Sequence, residues 1–321
     1  MKLRILVVTP CYYDVQSFLE LQKHIKSVIS DAYPESDLIT VLVDDTGGQD
    51  QSIRALGSLT RLAVVSPPFN LGHQGALVFA LRALSPFLKD EDVVVTLDSD
   101  GEDSPKDITT LINKLLDNPD NLQLVSIAQR TKRERSLAFN TLYFFFKIFF
   151  VTLTGTVVSN GNFMAYRGWF VKNVLFHPFF DYCYSSTVLA LAKTRTSVPL
   201  ARGRRYFGES KMTMISLIGH GFKMLLPFTD KIAVRAVVTA SLLFVLTLVA
   251  AWYAIYALYA GLPYAAVMIT LAVSSYSALA VLLGTGALLF NIFNQTMAIA
   301  LRELTLREKQ TESIKLYGLE F

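Results

Sequence analysis

The stretch VVVTLDSDGEDSP, residues 93–105, decides the fold. Four consecutive β-formers followed by a cluster of carboxylates read as a buried strand whose end delivers acid to a sheet edge. Asp98 and Asp100, two apart, turn toward one point when the backbone turns after the strand, and Glu102 and Asp103 lie close by. Such a set of hard oxygens suits Mg²⁺ or Mn²⁺. On this stretch alone a solvated acidic turn competes equally, so the decision rests on the sequence around it.

Outward from this point, residues 1–128 alternate strand-like segments (3–8, 38–43, 62–65, 93–97 and 122–127) with segments of helical spacing (15–30, 50–58, 73–85 and 105–117). The pattern is βαβα and predicts an α/β fold with a mostly parallel sheet. Open sheets of this kind bind ligands beyond the carboxyl ends of their strands. The unusual residues fall there: Pro10, Tyr12 and Asp14 after the first strand, Asp44 and Asp45 after the second, Asn70 and Gly72 after the third, Asp98 and Asp100 after the fourth. Asn70 and Gly72 fit either a tight turn with backbone close to a ligand or a plain turn before a helix. His73 and Gln74 read as the first turn of that helix. Gly47-Gly48 reads as loop punctuation, because no Walker-type lysine follows.

Taken in order, VVTPCYYD, VLVDDTGGQDQS, NLGHQGAL and LDSDGEDSP resemble the successive signatures of the family 2 inverting glycosyltransferases of the GT-A fold. The resemblance covers about residues 3–230. It implies that Pro10, Tyr12, Asp14, Asp44 and Asp45, with the turn at Asn70 and Gly72, bind the nucleotide-sugar donor. It also implies that Asp98 and Asp100 are the catalytic metal-binding pair, with Glu102 where close relatives place a glutamine. Physical reasoning agrees, since a divalent cation stabilises the charge on a departing diphosphate.

Beyond residue 128 the sheet pattern gives way to basic and aromatic sequence. Arg130, Lys132, Arg133 and Arg135 precede an apolar segment, 137–153, interrupted only by polar Asn140 and Lys147 and threonines. This reads as an amphipathic segment lying in the headgroup layer rather than a third span. Arg205, Gly208, Ser210 and Lys211 match an R-x-x-G-x-S-K element of the polyisoprenyl-phosphate glycosyltransferases, relatives of dolichyl-phosphate mannose synthase. By that resemblance Arg130, Arg133, Arg205, Ser210 and Lys211 hold an acceptor phosphate; a polybasic segment drawn to anionic lipid is the compatible alternative. A second interfacial helix follows, with Met214, Ile215, Ile218, Phe222, Leu225 and Leu226 on one stripe.

One departure from the family stands out. Relatives carry a D-x-G-D-F-like element where this chain has Ser159-Asn160-Gly161-Asn162-Phe163. The carboxylate proposed there as a base is an amide at Asn162, and Asp181 is the nearest carboxylate that could replace it. A phosphate monoester is mostly dianionic at neutral pH, so it needs positioning more than a base. No Q-x-x-R-W element of the processive synthases appears, which favours single transfer.

A mean hydropathy of +0.40 and 52% apolar residues exceed what a purely soluble chain carries. The excess lies in residues 236–301, which hold no Asp, Glu, Lys or Arg and suffice for two membrane helices of roughly 20–25 residues each. Gly261-Leu262-Pro263 breaks the run into a hairpin. Lys231, Arg235, Arg302, Arg307 and Lys309 flank it, which places both ends and the catalytic domain in the cytoplasm, at the cell (inner) membrane. Residues 1–8 are short and charged before Pro10, unlike a secretory signal. Two cysteines, Cys11 and Cys183, are too few for a disulfide framework.

The expected organisation is a GT-A domain over 1–211, an interfacial helix over 212–230, a transmembrane pair over 231–301 (about 232–260 and 264–291) and a cytoplasmic tail over 302–321. The expected reaction moves one sugar from a nucleotide-sugar to a polyprenyl phosphate, inverting and metal-dependent. The rivals are another lipid acceptor, such as diacylglycerol or a lipid-linked sugar, and a non-catalytic membrane-anchored subunit. The expected partners are donor, acceptor and bilayer, without nucleic acid; Gly284 and Gly286 leave room for close helix packing into a homo-oligomer.

Overall fold

The computed structural model describes residues 2–54, 56, 61–130, 137–158, 160–208, 214–305 and 314–317. The chain runs β1 (Arg4–Cys11), α1 (Val15–Ala32), β2 (Asp37–Asp44), α2 (Gln51–Arg54), β3 (Leu62–Val65), α3 (Gly72–Leu84), β4 (Val93–Thr96), α4 (Lys106–Leu116) and β5 (Leu124–Arg130), the alternation that the sequence predicts. It continues with α5 (Leu137–Thr154), β6 (Asn160–Arg167), α6 (Gly168–Asn173), α7 (Tyr184–Leu191), β7 (Thr194–Leu200), α8 (Met214–Lys223), α9 (Thr229–Tyr259), α10 (Ala265–Thr305) and β8 (Ile314–Tyr317). Two compact units result: Met1–Phe145, Val158–Leu226 and Ile299–Phe321 form the first, Phe146–Val157 and Pro227–Ala298 the second.

The first unit is built on a mixed sheet in the order β7-β5-β6-β4-β1-β2-β3, extended at the β3 edge by β8. β1 pairs in parallel with β2 and β4, β2 with β3, and β5 with β7; β6 runs antiparallel between β4 and β5, as β8 does beside β3. The crevice therefore opens where β1 sends its chain to β2 on one side and has β4 on the other. Period-two alternation divides the core. Ile5 and Val7 of β1 and Val93 and Val95 of β4 join Leu21, Ile25, Ile108, Leu111 and Leu115 of α1 and α4 in one fully buried cluster. On the opposite face α3 lies on β1 and against α6 and α7, with Leu77 and Leu81 fully buried. Each such side chain contributes about 1.5–3 kcal/mol relative to exposure.

The sheet does not end near residue 128, as the sequence pattern suggests. β6 sits in its middle, with Phe163, Met164, Ala165 and Tyr166 all buried, so both faces are covered and no alternation marks it. Its opening Asn160-Gly161-Asn162 also lacks β-formers. β7 is hidden for the opposite reason: only Val198 is buried along it, and Pro199 stands in it. The tail contributes β8, which at four residues is too short to announce a strand. The apolar segment after residue 137 is a helix, α5.

In the second unit the final part of α5 is fixed to the start of α9. Phe150 and Phe228 meet edge to face at 5.5 Å between ring centroids, and the Arg235 guanidinium donates to the carbonyls of Thr152 and Val151 at the α5 carboxyl end. α9 ends at Gly261, where the Leu262 N–H donates to Ala257 and the Gly261 N–H to Leu258, and α10 begins after Tyr264. Both helices are long and apolar enough to cross a membrane. Their exposed surface is apolar: Leu242, Phe244, Trp252 and Ile255 on α9, Tyr276, Val281, Leu288 and Phe290 on α10.

Candidate active site

Six strands point their carboxyl ends at one edge, and antiparallel β6 brings its amino end, Gly161 and Asn162, to the same edge. After β4 the chain turns sharply: Asp100 Oδ1 accepts the Glu102 N–H at 2.9 Å, and Gly101 has φ +81°. A Cβ at Gly101 would lie 2.4 Å from the Tyr206 ring, so glycine is required both by the turn and by the loop packed on it. That loop follows β7 and is tied down by Gly203 N–H to Glu102 O at 2.7 Å and Tyr206 N–H to Asp100 O at 2.9 Å. The Tyr206 hydroxyl in turn meets His24 Nδ1 at 3.1 Å on α1.

Three arginines face the acidic turn. Arg205 pairs with Asp100 Oδ2 at 2.6 Å and with Glu102 Oε1 at 2.9 Å; Arg202, 8% exposed, pairs with Glu102 Oε2 and lies 3.6 Å from Asp98 Oδ2. Arg130, at the end of β5 beyond a bulge in its pairing with β6, lies 3.7 Å from Asp98 Oδ2 and 3.6 Å from Asp103 Oδ2. It crosses Gly161 so closely that a Cβ there would sit 2.4 Å from its guanidinium. On the other side of Asp98, His73 Nε2 is 2.7 Å from Oδ1, and the Asn162 amide donates to the same oxygen at 3.3 Å.

The ionisation of the cluster follows from these neighbours. Burial works against a charged Asp98, but His73, Arg130 and Arg202 outweigh it and hold the carboxyl well below the usual range. Asp100 is raised, by burial and then by the charge of Asp98. Asp103 is pushed up to about 6 by the same two causes. His73 is raised: desolvation opposes its charge, and Asp98, Asp100 and Asp103 overcome it.

The donor-side residues separate into exposed and structural ones. Pro10 lies in β1 opposite Val43; Tyr12 is 43% exposed, and Tyr13, with φ +50°, donates to Gln49 at 3.2 Å. Asp14 precedes α1 and its side chain makes no capping bond, so its carboxylate is not spent on the helix. Asp44 is buried, accepting from the Thr46 N–H at 3.1 Å and from its hydroxyl. Asp45 is buried too and accepts the Leu71 N–H at 2.7 Å, while Asn70 accepts the Gly72 N–H at 2.7 Å. Asp44 and Asp45 thus build the turns beneath the crevice.

Three of the assigned groups have partners in the fold. Glu102 has both oxygens on arginines. Arg130 and Arg205 are engaged by the carboxylates. Asp181 belongs to Arg82, whose guanidinium donates to it at 2.5 Å, and the network that reaches Asp98 runs through Asn162 instead. Arg133, Ser210 and Lys211 lie outside the described residues.

Among the described residues no group of three or more His, Cys, Asp or Glu is arranged to hold a metal ion. The donor set nonetheless fits Mg²⁺ or Mn²⁺ of the kind held by one or two carboxylates together with substrate phosphates. Asp98 Oδ2 has only the long contacts to Arg130 and Arg202, and Asp103 Oδ2 is buried without a hydrogen-bond partner among the described residues.

The family model described as glycosyl transferase family 2 matches residues 6–173, more than half of the chain. The chain belongs to that family. This glycosyltransferase is similar in fold to glucosyl-3-phosphoglycerate synthase from Mycobacterium tuberculosis, solved with Mn²⁺, UDP and glucosyl-3-phosphoglycerate: 18% identity over 71% of this chain and 79% of that one, TM-score 0.47. It is also similar to S. aureus TarS 1-349 in complex with UDP, at 17% identity over 74% and 65% of the two chains, TM-score 0.38. No curated protein matches at a significant level. Sequence reasoning about the glycosyltransferase missed three groups at the acidic turn. His73 and Gln74 were read as no more than the first turn of a helix, and Arg202 was not singled out; only the spatial neighbours distinguish them.

Proposed function

We propose that this nucleotide-sugar glycosyltransferase transfers a single sugar to a polyprenyl phosphate at the membrane surface, with inversion. An oxygen of the acceptor phosphate attacks the anomeric carbon as the bond to the diphosphate breaks, and the nucleoside diphosphate leaves. No proton has to be removed, because a phosphate monoester is already largely dianionic at neutral pH. Mg²⁺ or Mn²⁺ bound through Asp98 and Asp100 would supply charge stabilisation to the leaving diphosphate.

The observation that carries this reading is the balance of charge at the acidic turn. Arg130, Arg202 and Arg205, with His73, face Asp98, Asp100, Glu102 and Asp103. A divalent cation added to that set frees guanidinium charge for anionic oxygens, and Arg forks suit phosphate. The commitment of Asp181 to Arg82 and the amide at Asn162 further favour an acceptor that needs no base over a hydroxyl acceptor. Tyr12, Asp14 and Pro10 are assigned to the nucleotide, and Arg133, Ser210 and Lys211 join the acceptor side by family resemblance.

In this reading α9 and α10 are the membrane anchor, both their ends cytoplasmic, and α8 lies at the interface. The return of the chain to the β3 edge as β8 supports an even number of crossings. Residues 1–211 are then the catalytic domain and 231–301 the anchor. The test is nucleotide release by the protein in lipid with UDP-, GDP- and dTDP-sugars, with and without undecaprenyl phosphate. Release that requires one donor, the lipid phosphate and a divalent cation is expected. Release with diacylglycerol in place of the lipid phosphate overturns the acceptor assignment.

A further inference from the structure

Asp98 is held through one oxygen only. His73 Nε2, from the first turn of α3, stands 2.7 Å from Oδ1, and Asn162 Nδ2, from the start of β6, donates to that same atom at 3.3 Å. Among the described residues, Oδ2 has no contact closer than the 3.6 Å and 3.7 Å approaches of Arg202 and Arg130. A carboxylate pinned in this way has a fixed plane and one oxygen turned toward the crevice. We propose that His73 and Asn162 are positioning residues that clamp Asp98 Oδ1 so that Oδ2 is presented to the divalent cation of the donor. This rests on the metal-dependent transfer argued above.

The polarity of the clamp is set from behind. The backbone N–H of Ser185 and the Cys183 thiol both donate to Gln74 Oε1, at 3.5 Å and 3.1 Å, so the Gln74 amide must turn its nitrogen the other way. That nitrogen donates to Asn162 Oδ1 at 2.9 Å and to Ser185 Oγ at 3.1 Å. The Asn162 oxygen is thereby used, and its nitrogen is left to face Asp98. Because a backbone N–H cannot reverse, the chain of amides has one direction, and it ends in a donor to a carboxylate. The Asn162 backbone is fixed as well, since its carbonyl accepts from Thr96 Oγ1 at 2.6 Å, one strand away on β4.

The amide is therefore required, and an aspartate at 162 is excluded by its neighbours. It would set a second carboxylate 3.3 Å from Asp98 with no donor between them. Where the family pattern makes an acid at this position helpful, the geometry here makes it harmful. Hydrogen bonds to a metal-binding carboxylate typically govern metal affinity by about 10–100-fold.

The experiment uses the full chain in lipid, with Mn²⁺ binding followed by electron paramagnetic resonance in the presence of UDP and, in parallel, GDP. Sugar transfer and thermal midpoint are measured on the same samples. His73→Ala and Asn162→Asp are expected to weaken Mn²⁺ binding by about 10–100-fold and lower turnover in parallel. His73→Gln, which keeps a donor, recovers most of the loss; a purely structural role would show no such recovery. His73 is 40% exposed, so its variants fold even where a change at buried Asn162 does not. Asp98→Ala is the control that separates the two layers of argument. If Asp98→Ala leaves Mn²⁺ binding unchanged, the metal reading itself fails. If Asp98→Ala abolishes binding while His73→Ala does not weaken it, or Asn162→Asp binds Mn²⁺ more tightly and turns over faster, the clamp is wrong and the metal reading stands.

Discussion

Asp181→Asn separates a structural carboxylate from a catalytic one. Arg82 is only 4% exposed, and the acceptors of its guanidinium include Asp181 Oδ1 at 2.5 Å, the Leu175 carbonyl at 3.1 Å and the His177 carbonyl at 3.4 Å. Its carbon also lies 5.6 Å from the centroid of the Phe176 ring. Losing one partner of a fully buried pair costs about 3–5 kcal/mol. Asp181 is 32% exposed, so water screens part of the interaction, and asparagine keeps one acceptor in place. The expected loss is thus about 2 kcal/mol, equivalent to roughly 4–8 °C in the thermal midpoint of a domain this size. Turnover, measured as nucleotide release well below both midpoints, should stay within about twofold of the parent. A general base, by contrast, contributes about 10²–10⁴ in rate. A loss of that size with an unmoved midpoint would refute the assignment of Asp181 to Arg82 and restore it to the chemistry.

Three further outcomes are expected. Asp100→Ala abolishes turnover, as chelation of divalent cations does in the parent, yet moves the thermal midpoint little, because relief of the repulsion from Asp98 offsets the lost bonds to Arg205 and the Glu102 N–H; activity retained in this variant removes Asp100 from the site. Gly101→Ala destabilises by about 1–2 kcal/mol from the left-handed backbone alone and loosens the 201–206 loop, because its Cβ would meet the Tyr206 ring at 2.4 Å; limited proteolysis of that loop should quicken, and an unchanged cleavage rate would count against the packing described. The pH dependence of stability has two windows of opposite sign. Asp103, raised to about 6, binds its proton more tightly folded than unfolded, so its contribution favours the folded state at low pH and is lost as pH rises from about 4 to about 6. Asp98, depressed in the fold, contributes above the usual carboxylate range and is lost as pH falls below it. Asp103→Asn should flatten the first window by on the order of 3 kcal/mol and leave the second; equal slopes in variant and parent would refute it.

What the sequence made legible was set by how each residue is constrained. β1, β2, β3 and β4 are short runs rich in Val, Leu and Ile, whose interior positions read as buried strand. Asp98 and Asp100 were visible as a pair at the end of an apolar run, where a solvated acidic turn competed until the neighbouring loops were read with them. β6 was not legible, although it lies at the centre of the sheet, because a strand buried on both faces and opened by Asn-Gly-Asn carries neither period nor propensity. Its consequence for the site was hidden with it. Only an antiparallel strand between β4 and β5 brings its amino end to the edge where six other strands end, and only there does Asn162 meet Asp98. Read as one letter against a family pattern, Asn162 looks like a missing acid. Read with Gln74, Ser185 and Asp98 around it, the same residue donates a hydrogen bond that a carboxylate could not, so a substitution that weakens the resemblance strengthens the case for an ordered site.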